Sequence, residues 1–170
     1  MISLESPINI ISLTKKDLKK AIRLVESVFK DEDESAKREL EASVYPRKFE
    51  KYVKKRERDI KTLEYFVAVN ARGRLVGIIG AYTLGVDYAD TLWIGWFCVH
   101  KKHRGEGIGR MLIEFIIEKA RALGKSYVSL YTSTEKNEEK AQKLYDSYGF
   151  EIIHREEKKD YEIIYRKKTL

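Results

Sequence analysis

Between Val99 and Arg110 the chain reads Val-His-Lys-Lys-His-Arg-Gly-Glu-Gly-Ile-Gly-Arg, a basic loop ending in three alternate glycines. The run before it, Trp93 to Val99, is apolar and rich in strand formers, and an amphipathic stretch follows at once. Glycine lets backbone approach a ligand closely, and the first turn of a helix presents unpaired N–H groups at the positive end of its dipole. Together these features predict an anion cradle that suits a pyrophosphate. Cys98 is the single cysteine, and His100, His103 and His154 are the only histidines, so neither a disulfide framework nor a structural metal is expected. A lone cysteine on a strand reads as core rather than as a nucleophile, and His100 and His103 read as solvent-facing flanks of the cradle.

The elements that must position this cradle follow from hydrophobic period and breakers. Pro7 suits a strand start and Ile8 to Leu13 reads as the first strand. Thr14 is a suitable N-cap for a helix over Lys15 to Phe29, whose apolar stripe is Leu18, Ala21, Ile22, Val25 and Phe29. A second helical stretch runs from Ser35 to Arg58, with a break expected near Pro46. Tyr65 to Val69 and Leu75 to Thr83 form a hairpin through Asn70 to Arg74, and Gly85 to Asp90 is a loop. The strand Thr91 to Val99 leads into the cradle. The next helix carries Ile108, Met111, Leu112, Phe115, Ile116 and Ala120, with Gly124 as its C-terminal cap. Tyr127 to Tyr131 is a strand, Glu138 to Tyr148 a helix ending at Gly149, and Phe150 to His154 with Tyr161 to Tyr165 a closing hairpin. No linker or repeat interrupts the 170 residues. They read as a single α/β domain built on a mixed, mostly antiparallel sheet flanked by helices.

A net charge of +7 favours anionic ligands, among them nucleic acid, phosphorylated cofactors and acidic protein surfaces. The densest basic cluster, Lys51 to Arg58, contains Glu57 and reads as a solvated helix face. No apolar run approaches the roughly 20 residues that span a bilayer. Met1 to Glu5 lacks the features of a signal peptide, so a cytoplasmic protein without membrane contact is expected.

Two common phosphate motifs fail against the cradle. The dinucleotide fingerprint requires G-x-G-x-x-G, whereas Gly105, Gly107 and Gly109 are spaced G-x-G-x-G. Gly124-Lys125-Ser126 has the tail of a Walker A loop, but Lys119 stands where its first glycine belongs. Arg104-Gly105-Glu106-Gly107-Ile108-Gly109 instead resembles the [QR]-x-x-G-x-[GA] signature of the GNAT superfamily of N-acetyltransferases, which binds the pyrophosphate of acetyl-CoA. Ala141-Gln142-Lys143-Leu144-Tyr145-Asp146-Ser147-Tyr148-Gly149-Phe150 is similar to that superfamily's second signature, A-x-x-L-Y-x-x-x-G-F. The resemblance covers Leu92 to Phe150, and upstream it extends only to the order of elements.

The resemblance implies roles residue by residue. Backbone groups of Phe97, Cys98 and Val99 would pair with the pantetheine arm as with an added strand. Amides from Arg104 through Gly105, Glu106, Gly107, Ile108 and Gly109 to Arg110 would hold the pyrophosphate, with Arg104 and Arg110 adding charge. Tyr145 would protonate the departing thiolate after an amine attacks the thioester, a strand amide assisting the oxyanion. Asn137 is the candidate partner of the pantetheine or a helix cap, although Glu138 occupies the place where relatives carry asparagine. The glutamate that many relatives carry on the fourth strand is missing, because the matching positions are Gly95 and Trp93. Asp87, Asp90, Glu64 or a chain of waters would have to accept the amine proton, and Gly95 would mark a bulge that admits the cofactor.

The expected function is transfer of an acetyl group from acetyl-CoA, as co-substrate, to a primary amine of a small molecule or protein. Phe29 to Arg58 and Gly85 to Asp90 would form the acceptor surface, with Tyr45, Tyr82, Tyr88, Trp93 and Trp96 as candidates to shape it. A catalytically silent acetyl-CoA-binding module and a basic RNA-binding protein are the alternatives, and a homodimer is left open.

Overall fold

The computed structural model describes residues 7–30, 34–56 and 58–170. Met1 to Glu5, read above for a leader, and Glu57 lie outside the described residues. Seven strands form one sheet: β1 (Asn9–Ser12), β2 (Ile60–Val69), β3 (Leu75–Leu84), β4 (Thr91–Val99), β5 (Tyr127–Ser133), β6 (Glu151–Glu157) and β7 (Glu162–Thr169). Their order is β1-β2-β3-β4-β5-β7-β6. Every neighbouring pair is antiparallel except β4 and β5, which makes the sheet mixed and mostly antiparallel as expected.

Helices cover both faces, so the sheet separates two apolar cores. α1 (Leu18–Val28) and α2 (Ser35–Val44) bury Val25, Leu40 and their neighbours with Val67, Ile78 and Trp93. On the other face, α4 (Ile108–Ala122) and α5 (Glu139–Ser147) bury Ile108, Leu112, Ile116 and Tyr145 with Ile79, Ile94 and Leu130. Between α2 and α3 (Pro46–Lys54) the chain breaks at extended Tyr45, and Pro46 takes the first helical position, where its missing N–H costs nothing.

Several element ends differ from expectation for physical reasons. α1 begins at Leu18 with Asp17 at its N-cap, and Thr14 instead accepts the Asp17 N–H through its carbonyl at 3.1 Å. β2 begins five residues before Tyr65, because Lys61, Thr62 and Glu64 occupy outward or rim positions and a register shift between Ile60 and Thr62 breaks the apolar alternation. β5 continues two residues beyond Tyr131, held by pairing of Thr132 and Ser133 with β7. No helix among the described residues is long and apolar enough to cross a membrane.

Candidate active site

β4 and β5 meet only at their beginnings. Thr91, Leu92 and Trp93 pair with Tyr127, Val128 and Ser129, after which β4 stays with β3 while β5 follows β7. A cavity of about 680 Å³ opens along the parting, bounded by Gly95, Trp96 and Phe97 on β4 and by Tyr131, Thr132 and Ser133 on β5.

The parting coincides with a bulge. Ile79 faces Phe97 and Ala81 faces Ile94, so the single residue Gly80 on β3 stands opposite both Gly95 and Trp96 on β4. The Tyr65 side chain fills this irregularity. Its hydroxyl accepts the Trp96 N–H at 3.0 Å and donates to Glu39 Oε1 at 2.5 Å. A Cβ at Gly80 would lie 2.4 Å from Tyr65 Cζ, and one at Gly95 would lie 2.6 Å from the Tyr65 hydroxyl. Two glycines on adjacent strands therefore make the trench that lets this ring cross the sheet surface.

Beyond the bulge, alternation of the ladder assigns the β4 backbone groups. His100 donates its N–H to Val76 at 2.8 Å, which turns the backbone groups of Cys98 toward β3 and those of Phe97 and Val99 toward the parting. The Val99 carbonyl accepts a hydrogen bond from Arg104 Nε at 3.3 Å. Cys98 is 6% exposed in the core under α1, and burial pushes its thiol up to about 12, as suits a core residue.

The glycine cradle follows a single 3-10 turn, Lys101–His103. Gly105 and Gly107 have φ of +83° and +80°, and no protein atom lies within 4 Å of a Cβ placed on either. Glycine is required there by backbone conformation, and the open space leaves the peptide surface accessible. Gly107 caps α4, so the N–H groups of Ile108, Gly109 and Arg110 belong to its first turn. Gly109 packs close to Leu144, Phe97 and Val99, which brings α4, α5 and β4 together. Glu106 pairs with His103 at 3.1 Å, and Arg110 lies beside the Tyr148 hydroxyl.

Tyr145, on α5, is buried and borders the cavity with its ring edge toward Phe150 at 5.8 Å and tilted against Phe97 at 6.2 Å. Burial raises its phenol above the ordinary tyrosine range, so the hydroxyl is protonated at neutral pH. Arg166 holds the helix that carries it. Only 4% exposed, Arg166 donates to Gln142 at 3.0 Å, to Asp146 at 2.7 Å and to the Phe150 carbonyl at 2.9 Å. Glu138 latches the start of α5 to β5 by accepting from the Thr132 hydroxyl at 2.9 Å and the Ser133 N–H at 3.0 Å. Asn137 also borders the cavity, but it lies in a 3-10 turn and donates to the Val28 carbonyl at 3.4 Å instead of capping α5.

The proton acceptors read from sequence lie elsewhere. Glu64 is on the α4 face of the sheet, paired with Lys119 at 3.1 Å. Asp87 and Asp90 stand before β4 and do not border the cavity. Of the aromatics expected to shape an acceptor pocket, Tyr82 and Trp96 border the cavity, while Tyr45, Tyr88 and Trp93 do not. Tyr52, Tyr131 and Tyr161 do, and so does Glu39; no motif in the sequence marks any of these four.

The chain belongs to the GNAT family of acetyltransferases, whose family model matches residues 25–150. Solved structures agree at the level of the fold. A GNAT-family protein from Desulfovibrio desulfuricans superposes with a TM-score of 0.74 at 15% identity, covering 96% of this chain and 99% of that one. A GNAT-family acetyltransferase from Staphylococcus aureus Mu50 gives 0.72 at 20% identity over 96% and 99%. A spermidine N-acetyltransferase chimera from Vibrio cholerae and hSSAT gives 0.69 at 17% identity over 95% of each chain. No curated protein matches the sequence.

Proposed function

We propose that the protein transfers the acetyl group of acetyl-CoA to a primary amine by direct attack of the amine on the thioester. The observation that carries this reading is the parting of β4 from β5 beside the glycine cradle, with Tyr145 on its border. Pantetheine would lie along the outer edge of β4, where Phe97 and Val99 turn backbone groups toward the gap and Cys98 between them supports the strand through β3. The pyrophosphate would rest on the amides from Arg104 to Arg110 at the positive end of α4, and Asn137 would border the arm. Membership of the family and the likeness to a spermidine N-acetyltransferase chimera support an amine as acceptor. A small-molecule amine and a protein amine both fit this chemistry.

After the amine attacks, the C–S bond breaks and the leaving thiolate needs a proton. A neutral phenol held beside the thioester supplies it, which is the role given to Tyr145. Turnover of acetyl-CoA with small amines, polyamines and peptide N-termini tests the reading. Tyr145→Phe should lower kcat by roughly 10²–10³-fold while leaving CoA affinity unchanged. A parent protein that binds no acetyl-CoA refutes the proposal, and an unchanged kcat in Tyr145→Phe refutes only the assigned acid. The missing carboxylate on β4 favours a silent acetyl-CoA-binding module as a second reading, which CoA binding without turnover of any amine would support.

A further inference from the structure

We propose that Glu39, on α2, is the base that takes the proton from the attacking amine; this inference rests on the acetyl-transfer reading above. The resemblance to the superfamily implies a glutamate that many of its members carry on the fourth strand, and the matching positions of this chain are Gly95 and Trp93. The structure brings a carboxylate to the same place from another element. A Cβ built on Gly95 would lie 3.1 Å from Glu39 Oε1, so the carboxylate fills the volume that a side chain at position 95 would enter.

Three features suit Glu39 to this task. Its side chain is only 12% exposed, and it borders the cavity near the β4 bulge. It is held at both oxygens: the Tyr65 hydroxyl donates to Oε1 at 2.5 Å and the Tyr52 hydroxyl to Oε2 at 2.8 Å. Each carboxylate oxygen has two acceptor sites, so these bonds orient the group without exhausting it. Tyr65 also accepts the Trp96 N–H, which ties the carboxylate to the strand that would flank the thioester. Among the described residues, the other carboxylates at the cavity lie on the β5 side, away from the β4 bulge: Glu138 is bonded to Thr132 and Ser133, and Glu135 accepts from the Ser133 hydroxyl at 3.2 Å.

The step balances with acetyl-CoA and the amine alone. An N–H proton of the amine passes to the Glu39 carboxylate, the C–N bond forms at the thioester carbon and the C–S bond breaks. The thiolate takes the Tyr145 phenol proton. Water relays the Glu39 proton back to the Tyr145 phenolate, so a neutral amine and acetyl-CoA leave as acetyl-amine and CoA thiol with no net proton released. Among the described residues, the titratable and charged groups facing Glu39 are Tyr52 and Arg56 from the α3 side, Tyr65 from β2, Tyr82 from β3 and Tyr131 from β5. Burial raises all four phenols above their ordinary range, so none of them ionises near neutral pH.

The test measures kcat against pH and CoA affinity for the parent, Glu39→Gln and Glu39→Asp with the amine panel. Glu39→Gln should lose roughly 10²–10³-fold in kcat at neutral pH and keep its CoA affinity. Its residual rate should follow pH differently from the parent's, climbing as solvent and hydroxide take over deprotonation of the amine. Glu39→Asp keeps the charge one methylene short, so kcat should fall while the pH profile keeps the parent's shape. Parental kcat in Glu39→Gln, or a slowed Glu39→Gln whose pH profile keeps the parent's shape, overturns the assignment. If Glu39→Gln does not fold, parental kcat in Glu39→Asp overturns it instead. A parent that acetylates no amine refutes the underlying reading, so the two failures are distinguishable.

Discussion

Side-chain chemistry in this protein is set mainly by burial. Tyr145 and Cys98 are both desolvated, with opposite consequences for usefulness. A phenol kept protonated is ready to donate, whereas a thiol pushed up to about 12 is a poor nucleophile. At pH 8 the thiolate fraction at such a site is on the order of 10⁻⁴, against roughly a quarter for an unperturbed thiol near ~8.5. Native protein should therefore react with a thiol-specific chromogenic disulfide at pH 8 at least ~10²-fold more slowly than the urea-unfolded chain. Comparable rates in the two states would show that Cys98 is accessible and ionisable, contrary to its place under α1. The place of Tyr145 on the cavity border was legible, because an A-x-x-L-Y pattern marks it within one local stretch. Glu39 was not, since its role depends on a neighbour 56 positions away in the chain, and Gly95 announced only a missing carboxylate.

At the scale of elements, local patterns predicted most of what a single segment determines. β4, the cradle and α4 were readable together because an apolar strand, positive-φ glycines and a helical stripe follow one another without interruption. The bulge at Gly95 was also legible, but not its occupant: nothing near Gly80 or Gly95 points to Tyr65, which enters from β2. This three-strand arrangement makes a sharp prediction. In Gly80→Ala the new Cβ would meet the buried Tyr65 ring at 2.4 Å, with backbone on one side and core on the other. Relief requires the ring to leave its trench, which breaks its bonds to Glu39 and Trp96. Urea unfolding should report a loss of about 1–3 kcal/mol, typical of an overpacked interior. Turnover should fall as well, because Glu39 loses its orienting hydroxyl. An unchanged unfolding midpoint would mean that the trench is loosely filled.

For the molecule as a whole, the sheet is two units joined along a short seam. β1 to β4 form one unit and β5, β7 and β6 the other, with Thr91, Leu92 and Trp93 supplying the β4 side of the joint. α4 packs against β3, β4 and β5 and so spans the seam from one face. A ligand lying in the parting would add the missing connection on the strand edge and contact α4 at its first turn, so it should stabilise the whole fold. Binding to the native state alone contributes RT ln(1 + [L]/Kd), about 2.7 kcal/mol at a hundredfold excess over Kd. For a domain of this size each kcal/mol moves the melting temperature by roughly 2–4 °C, which predicts a rise of roughly 5–10 °C with saturating CoA. Amide exchange locates the effect. Phe97 and Val99, whose backbone groups face the parting, should gain protection on CoA binding, whereas Cys98 is already bonded into the β3 ladder and should change little. A melting shift without slower exchange at Phe97 and Val99 would place CoA elsewhere on the protein, and exchange that slows equally at all three would indicate general tightening of β4 instead of a strand-like ligand at its edge.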